Sequence, residues 1–199
     1  MTELSEMYDE TFWTVGRGHS YLDDRYHKVE AELMMDLFNL KGKRVLDIGC
    51  GFGHHINHLN RLVAQAEGID GSDFCCNGRP IIHQDITRKW KCNTNHDMVM
   101  SIHTLEHLSQ VALGVVLGYV IYDLIKDGIF LVVVPTKGLS EGCGLLDSTH
   151  QIIEDSTWWI TSLQSSGLYY DKEASREFAR RSPHVRDWPS LVVVLRSKE

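Results

Sequence analysis

Two groups of residues in this 199-residue chain are spaced for chemistry. The first is the stretch RVLDIGCGFGHH, residues 44–55, in which Asp47 precedes Gly49, Gly51 and Gly53. Glycines at this density tolerate positive φ and let a backbone approach a ligand closely. The spacing is GxGxG, which differs from the GxGxxG dinucleotide fingerprint, and no Lys-Ser/Thr pair follows as in a phosphate-cradling loop. Asp47 repels a phosphate and favours a cation. Asp70 follows after an interval of the order of 20 residues, where an acid that binds ribose hydroxyls is expected. Asp85 is placed to accept a hydrogen bond from an exocyclic amine. A tight turn without a ligand, its acids merely capping loops, is the alternative.

The second group is imidazole with carboxylate. SIHTLEHL sets His103, Glu106 and His107 at i, i+3 and i+4, one face of a helix that begins by His103. DSTHQIIEDSTWW adds His150 farther along the chain. Such donors suit Zn²⁺, Mn²⁺ or Fe²⁺ better than Mg²⁺. His54 and His58 also stand at the i, i+4 spacing of a metal pair. With no third ligand nearby in sequence, they read as a solvated helix face.

These residues need a scaffold. Val45–Ile48 reads as a short buried strand, and Ile56, Leu59, Val63 and Ala66 as one helix face. Residues 68–70 end a second strand, 80–84 form a third, 98–102 a fourth and 129–134 a fifth stopped by Pro135. A helix runs from His27 to Leu40. Ser109 caps a long one that buries Leu113, Val116, Leu117, Val120, Leu124 and Ile125 and ends at Gly128. Another spans Trp158 to Ser166, with at least one tryptophan in the core. Strands follow from Leu168 and at Leu191–Leu195. Alternating β and α with apolar strands predicts an α/β domain whose parallel sheet is covered on both faces. Ligands of such sheets sit beyond the carboxyl ends of the strands, where all three acids fall. A nucleoside with a positive charge and no phosphate satisfies them: S-adenosylmethionine.

Composition narrows the partners. The net charge of −7 argues against non-specific binding to nucleic acid, which needs a basic footprint. The most apolar stretch, residues 111–125, is too short to span a bilayer. Five cysteines form no CxxC pair, and no signal peptide is evident, so a reducing, cytoplasmic setting is expected. Residues 1–199 form one domain, with 1–26 as an N-terminal arm or lid. Its aromatics Tyr8, Phe12, Trp13 and Tyr21 either wall the acceptor pocket and meet the sulfonium or simply brace the surface.

VLDIGCGFG, GIDGSD, HQDI and HDMVMSIHTLEHL, in this order and at these intervals, resemble the successive cofactor motifs of class I S-adenosylmethionine-dependent methyltransferases. The resemblance runs from Lys43 to the C-terminus and is nearest to small-molecule O-methyltransferases of the ubiquinone-pathway type. It implies a Rossmann-like, seven-stranded, mostly parallel sheet with its last strand antiparallel. It places Asp47, Gly49, Gly51 and Gly53 around the methionine moiety, Asp70 at the ribose, Asp85 and Ile86 at the adenine, and His103 along the cofactor. His54 departs from the small or polar residue usual after the loop.

The resemblance also folds the loop carrying His150 over the same sheet edge, so that Glu106, His107 and His150 converge with His103. That set is similar to the ExxEH…H metal ligands of ubiquinone-pathway and small-RNA 2′-O-methyltransferases, with His103 in place of the first glutamate. Glu106, His107 and His150 are thus candidate ligands for a divalent metal (Zn, Mn, Fe or Mg). A metal-free site, with His107 or His103 as general base, is the alternative. The expected activity is O-methylation of a small molecule or sugar. RNA 2′-O-methylation and a non-catalytic, methyltransferase-like binding protein are the rival readings.

Overall fold

The computed structural model describes residues 8–14, 24–91, 95–139 and 147–197. Tyr21, Cys92 and Cys143 lie outside them. Seven strands form one sheet in the order β3-β2-β1-β4-β5-β7-β6. They are β1 (Arg44–Ile48), β2 (Gln65–Asp70), β3 (Ile82–His83), β4 (His96–Ile102), β5 (Leu124–Val134), β6 (Tyr169–Tyr170) and β7 (Leu191–Arg196). β1 pairs in parallel with β2 and β4, and β4 with β5. β7 runs antiparallel to both β5 and β6. This is the α/β class expected, with the last strand reversed.

Strand side chains alternate between the two faces, and each face has its own core. Leu46, Val99, Phe130, Val132 and Val193 pack against α5 (Gln110–Asp123) and α6 (Ser156–Gln164), where Trp159 and Leu163 are fully buried. Val45, Met98, Met100, Leu131 and Val194 face α2 (Arg25–Phe38), α3 (His54–Arg61) and α7 (Lys172–Arg181). Three shorter helices complete the description: α1 (Glu10–Thr14), α4 (Asp73–Cys76) and α8 (Pro183–Asp187). No helix among the described residues is long and apolar enough to cross a membrane.

Several boundaries differ from the sequence expectation. α5 keeps its Ser109 cap, which accepts from the Ala112 amide, but it ends at Asp123. Leu124 and Ile125 open β5 instead. Leu124 is extended and pairs with His96, the register shifts by a bulge before Met98, and Asp127 takes a positive φ there. Val63 is 62% exposed with φ 70°, because α3 stops at Arg61 and the chain turns into β2, which takes Ala66. β3 is shorter than 80–84, and Arg25 and Tyr26 belong to α2 rather than to the arm. No described cysteine is bonded to another: Cys50, Cys75 and Cys76 are free thiols.

Candidate active site at the carboxyl edge of the sheet

The glycine loop turns off β1 under tight constraints. The Gly49 and Cys50 amides both donate to the Ile69 carbonyl, at 2.8 and 3.2 Å, and tie the loop to β2. Gly49 (φ +74°) lies so near Thr104 that a Cβ would sit 2.2 Å from its methyl carbon. Thr104 Oγ1 in turn donates to the Gly49 carbonyl at 3.2 Å. Gly51 (φ +53°) is different: a Cβ there would meet only the Trp13 ring, at 3.6 Å. Gly53, in the left-handed region, is the N-cap of α3.

The two strand-end acids are buried behind this loop. Asp70 accepts from the Gly51 amide through Oδ2 and from the Ser72 amide through Oδ1, both at 2.8 Å. A carboxylate with two oxygens has about four acceptor sites, more than these two amides fill. Burial raises the Asp70 carboxyl above the ordinary value, against the pull of these amides. Burial pushes Asp47 up to about 7, with His55 lowering it and Asp70 adding to the rise. Asp85 spends Oδ1 on the amide and hydroxyl of Thr87, at 2.8 and 2.7 Å. Ile86 beside it is buried.

The arm packs on this loop. Trp13 is buried against Phe52 and Cys75, and its Nε1 donates to the Tyr8 carbonyl at 3.2 Å and to Ser72 Oγ at 3.4 Å. Ser72 Oγ itself donates to the Tyr8 carbonyl at 2.7 Å. The Tyr8 ring meets the His107 ring edge-on at 5.7 Å, so one short segment touches both constellations.

His103, Glu106 and His107 do not share a helix face. His103 directly follows β4 with φ 53°, and only Leu105–His107 make a 3-10 turn. The tight turn still gathers them. His103 Nδ1 lies 3.4 Å and His150 Nε2 4.0 Å from Glu106 Oε1. The His107 and His150 rings stand 4.7 Å apart. His150 arrives because the amides of Gln151 and Ile152 donate to the Glu106 carbonyl, at 2.8 and 3.0 Å. Glu106, His107 and His150 each offer a donor atom within 4.8 Å of the others.

Their electrostatics are unusual. Glu106 is fully buried, yet neither of its carboxylate oxygens makes a hydrogen bond. Burial raises its carboxyl above the ordinary range, although His107 and His150 oppose the shift. Burial also lowers His107, with Glu106 pulling the other way, and drives His103 down to about 3. A buried carboxyl without a hydrogen bond, ringed by imidazoles, is a donor set suited to a cation.

His54 and His58 are not a solvated face. His58 is 8% exposed and its Nε2 lies 2.8 Å from Asp24 Oδ1, which His54 Nδ1 shares at 3.3 Å. Between them His55 is buried against Glu30, which also meets Ser182 and His184. His184, on α8, reaches the site as well, with its ring 5.0 Å from that of His103. Sequence reasoning missed His184, Thr104, Ser72 and Thr149. Only the position of Thr104 directly after His103, where β4 meets the loop, was a signal.

The strand order and the glycine loop define a class I methyltransferase fold. A family model described as a methyltransferase domain matches residues 20–193, and the chain belongs to that S-adenosylmethionine-dependent family. No curated protein matches it by sequence. Among solved structures it is similar to the Burkholderia thailandensis 1,6-didemethyltoxoflavin-N1-methyltransferase, which carries bound 1,6-didemethyltoxoflavin and S-adenosylhomocysteine. That likeness has a TM-score of 0.69 and 13% identity and covers 95% of this chain and 85% of that one. A putative methyltransferase in complex with the Haloferax volcanii Trm112 activator is similar at TM-score 0.67 and 15% identity, covering 94% and 96%. The [4+2]-cyclase SpnF shares the fold at TM-score 0.64 and 16% identity, covering 86% and 80%.

Proposed function

We propose that this methyltransferase transfers the methyl group of S-adenosylmethionine to a hydroxyl of a small molecule or sugar. Glu106, His107 and His150 would activate that hydroxyl around a divalent cation. The observation that carries the reading is the buried Glu106 carboxylate, which has no hydrogen bond and stands between two imidazoles beside the glycine loop. Two methyltransferases of similar fold are named for small-molecule acceptors, 1,6-didemethyltoxoflavin and magnesium protoporphyrin IX. The same triad would serve a ribose 2′-hydroxyl of RNA, but the net charge of −7 opposes an RNA substrate.

When bound, the cofactor supplies an activated methyl on a sulfonium and the cation lowers the pKa of the acceptor hydroxyl. The chain supplies the rest. Gly49, Gly51 and Gly53 give close backbone approach around the methionine moiety, and Asp47 sets a buried carboxylate against positive charge. Asp70 holds the ribose through its remaining lone pairs, and Asp85 and Ile86 bracket the adenine. His103 walls the cofactor and Trp13 closes over Gly51, excluding water from the in-line attack. The donor set of two imidazoles and one carboxylate fits Zn²⁺, Mn²⁺ or Fe²⁺. Without a cation, His107 or His103 takes the hydroxyl proton as general base.

Asp70→Ala tests the cofactor assignment. Each hydrogen bond lost to the ribose should cost roughly 1.5–3 kcal/mol in affinity. Calorimetric titration with S-adenosylmethionine reads this directly. Wild-type affinity in a folded variant would remove Asp70 from the site. If cofactor binds but no acceptor is methylated in its presence, the chain uses the fold for other chemistry.

Asp47 makes a separate, pH-dependent prediction. Its free-state carboxyl near pH 7 is mostly protonated at pH 6 and mostly ionised at pH 8. A cationic ligand binds the ionised form, so S-adenosylmethionine affinity should rise about tenfold over that range. S-adenosylhomocysteine lacks the sulfonium charge and should gain much less. Equal pH dependence for the two ligands would place Asp47 away from the sulfur.

A further inference from the structure

The loop that carries His150 holds a second arrangement that the triad does not use. Thr149 Oγ1 lies 2.6 Å from Asp147 Oδ1, and the Thr149 amide donates to the same oxygen at 2.9 Å. Burial would raise the half-buried Asp147 carboxyl, but its bonds from Thr149 outweigh this and hold it below the ordinary range. It is therefore ionised at neutral pH and can only accept. A hydroxyl has one proton and two lone pairs. The proton of Thr149 is committed to Asp147, yet its oxygen also lies 2.9 Å from His107 Nδ1. That contact closes in one way only: the imidazole Nδ1–H donates to the hydroxyl oxygen.

We infer that Asp147 and Thr149 are positioning residues that fix His107 in its Nδ1–H tautomer through a hydroxyl relay. The relay leaves the Nε2 lone pair of His107 as the one available to an acceptor hydroxyl or to a cation. The inference rests on the reading of His107 as base or ligand. A ring nitrogen that works on a substrate or metal is commonly oriented by what its other nitrogen donates to. Here that group is a threonine backed by a carboxylate, which makes the donation directional and raises the electron density at Nε2. The Tyr8 ring also meets His107 edge-on at 5.7 Å, so the N-terminal arm packs against the oriented imidazole. The other groups facing His107 are Glu106 and His150.

Nitrogen-15 NMR of the imidazoles in chelator-treated, cofactor-free protein at pH 8 tests the tautomer without any turnover. The wild type should show His107 protonated at Nδ1. Thr149→Val has the same shape without the hydroxyl and should let the Nε2–H tautomer, which dominates free neutral histidine, take over. With a methylatable acceptor, that variant should lose about 10–100-fold in kcat with an unchanged KM for S-adenosylmethionine. Thr149→Ser should restore both the tautomer and the rate. An Nε2–H tautomer in the wild type, or an unchanged tautomer in a folded Thr149→Val, would overturn the relay. A full rate in Thr149→Val would do the same. Should no acceptor be methylated by the wild type, the proposed function fails while the NMR result still decides the relay.

Discussion

Glu30→Ala should lose about 3–5 kcal/mol of folding stability, a large share of the roughly 5–15 kcal/mol that holds a domain together. Glu30 is 1% exposed, bonded to two side chains and near a third. His55 Nε2 lies at 3.0 Å, Ser182 Oγ makes a short bond, and His184 Nδ1 is a longer contact at 3.8 Å. Burial alone would raise the carboxyl of Glu30, but hydrogen bonding and charge from His184 and His55 hold it well below its ordinary value. Burial would lower His55, and the same carboxylate raises it instead. The pair therefore clamps α2 to α3 as buried opposite charges, and truncating one member strands the other.

The sign of each shift fixes the pH window. The depressed carboxyl of Glu30 contributes stability above its unfolded value of about 4.3, and this is lost as pH falls through the native one. The raised His55 contributes below its unfolded value of about 6.5, and this is lost as pH climbs through the native one. Urea unfolding of the wild type should thus show the pair at full strength between about pH 4.3 and 6.5. Glu30→Ala should flatten both flanks. Parallel curves for wild type and variant would mean that the pair is not ionic.

This clamp also shows what sequence could not reveal. His54, His55 and His58 sit on one short helix with no acid beside them in the chain. Their partners Asp24 and Glu30 lie 34 and 25 residues upstream from His58 and His55. Only packing α2 onto α3 reveals them, and a surface reading of those imidazoles was the natural default. The sheet was legible for the opposite reason. Alternation of faces and glycine punctuation are local signals, and each cofactor motif ends a strand whose place in the sheet fixes its neighbours. Even so, Leu124 and Ile125 are apolar enough for either α5 or β5, and strand pairing decided between them. The candidate site was legible by residue type and not by geometry. His103, Glu106 and His107 were expected on one helix face, and a left-handed residue followed by a 3-10 turn gathers them instead. The contribution of Thr149 was invisible, because an ordinary threonine gains a role only when His107 is brought to it.

Glu106→Met should raise the stability of the metal-free protein while removing its activity. A thioether of similar length fills the same space and needs no hydrogen bond, whereas the native carboxyl is buried with neither oxygen bonded. The gain should be about 1–3 kcal/mol, the cost of a buried polar group left unsatisfied. Natural cores rarely keep such a group unless it works, so gain of stability with loss of turnover is the signature of a functional site. Methyl transfer should fall by about 10²–10⁴-fold, since hydroxyl activation is lost while the cofactor residues are untouched. Divalent cation sharpens the test. Zn²⁺ or Mn²⁺ at about 100 times its dissociation constant should stabilise the wild type by about 2.7 kcal/mol and leave Glu106→Met unmoved. A chelator should abolish wild-type turnover and spare cofactor binding, for which the proposed residues are Asp47, Asp70 and the glycine loop. If turnover survives chelation and the melting temperature ignores the metal, the cation reading is wrong. His107 would then be the general base, and Glu106 would act by holding the charge that forms on it.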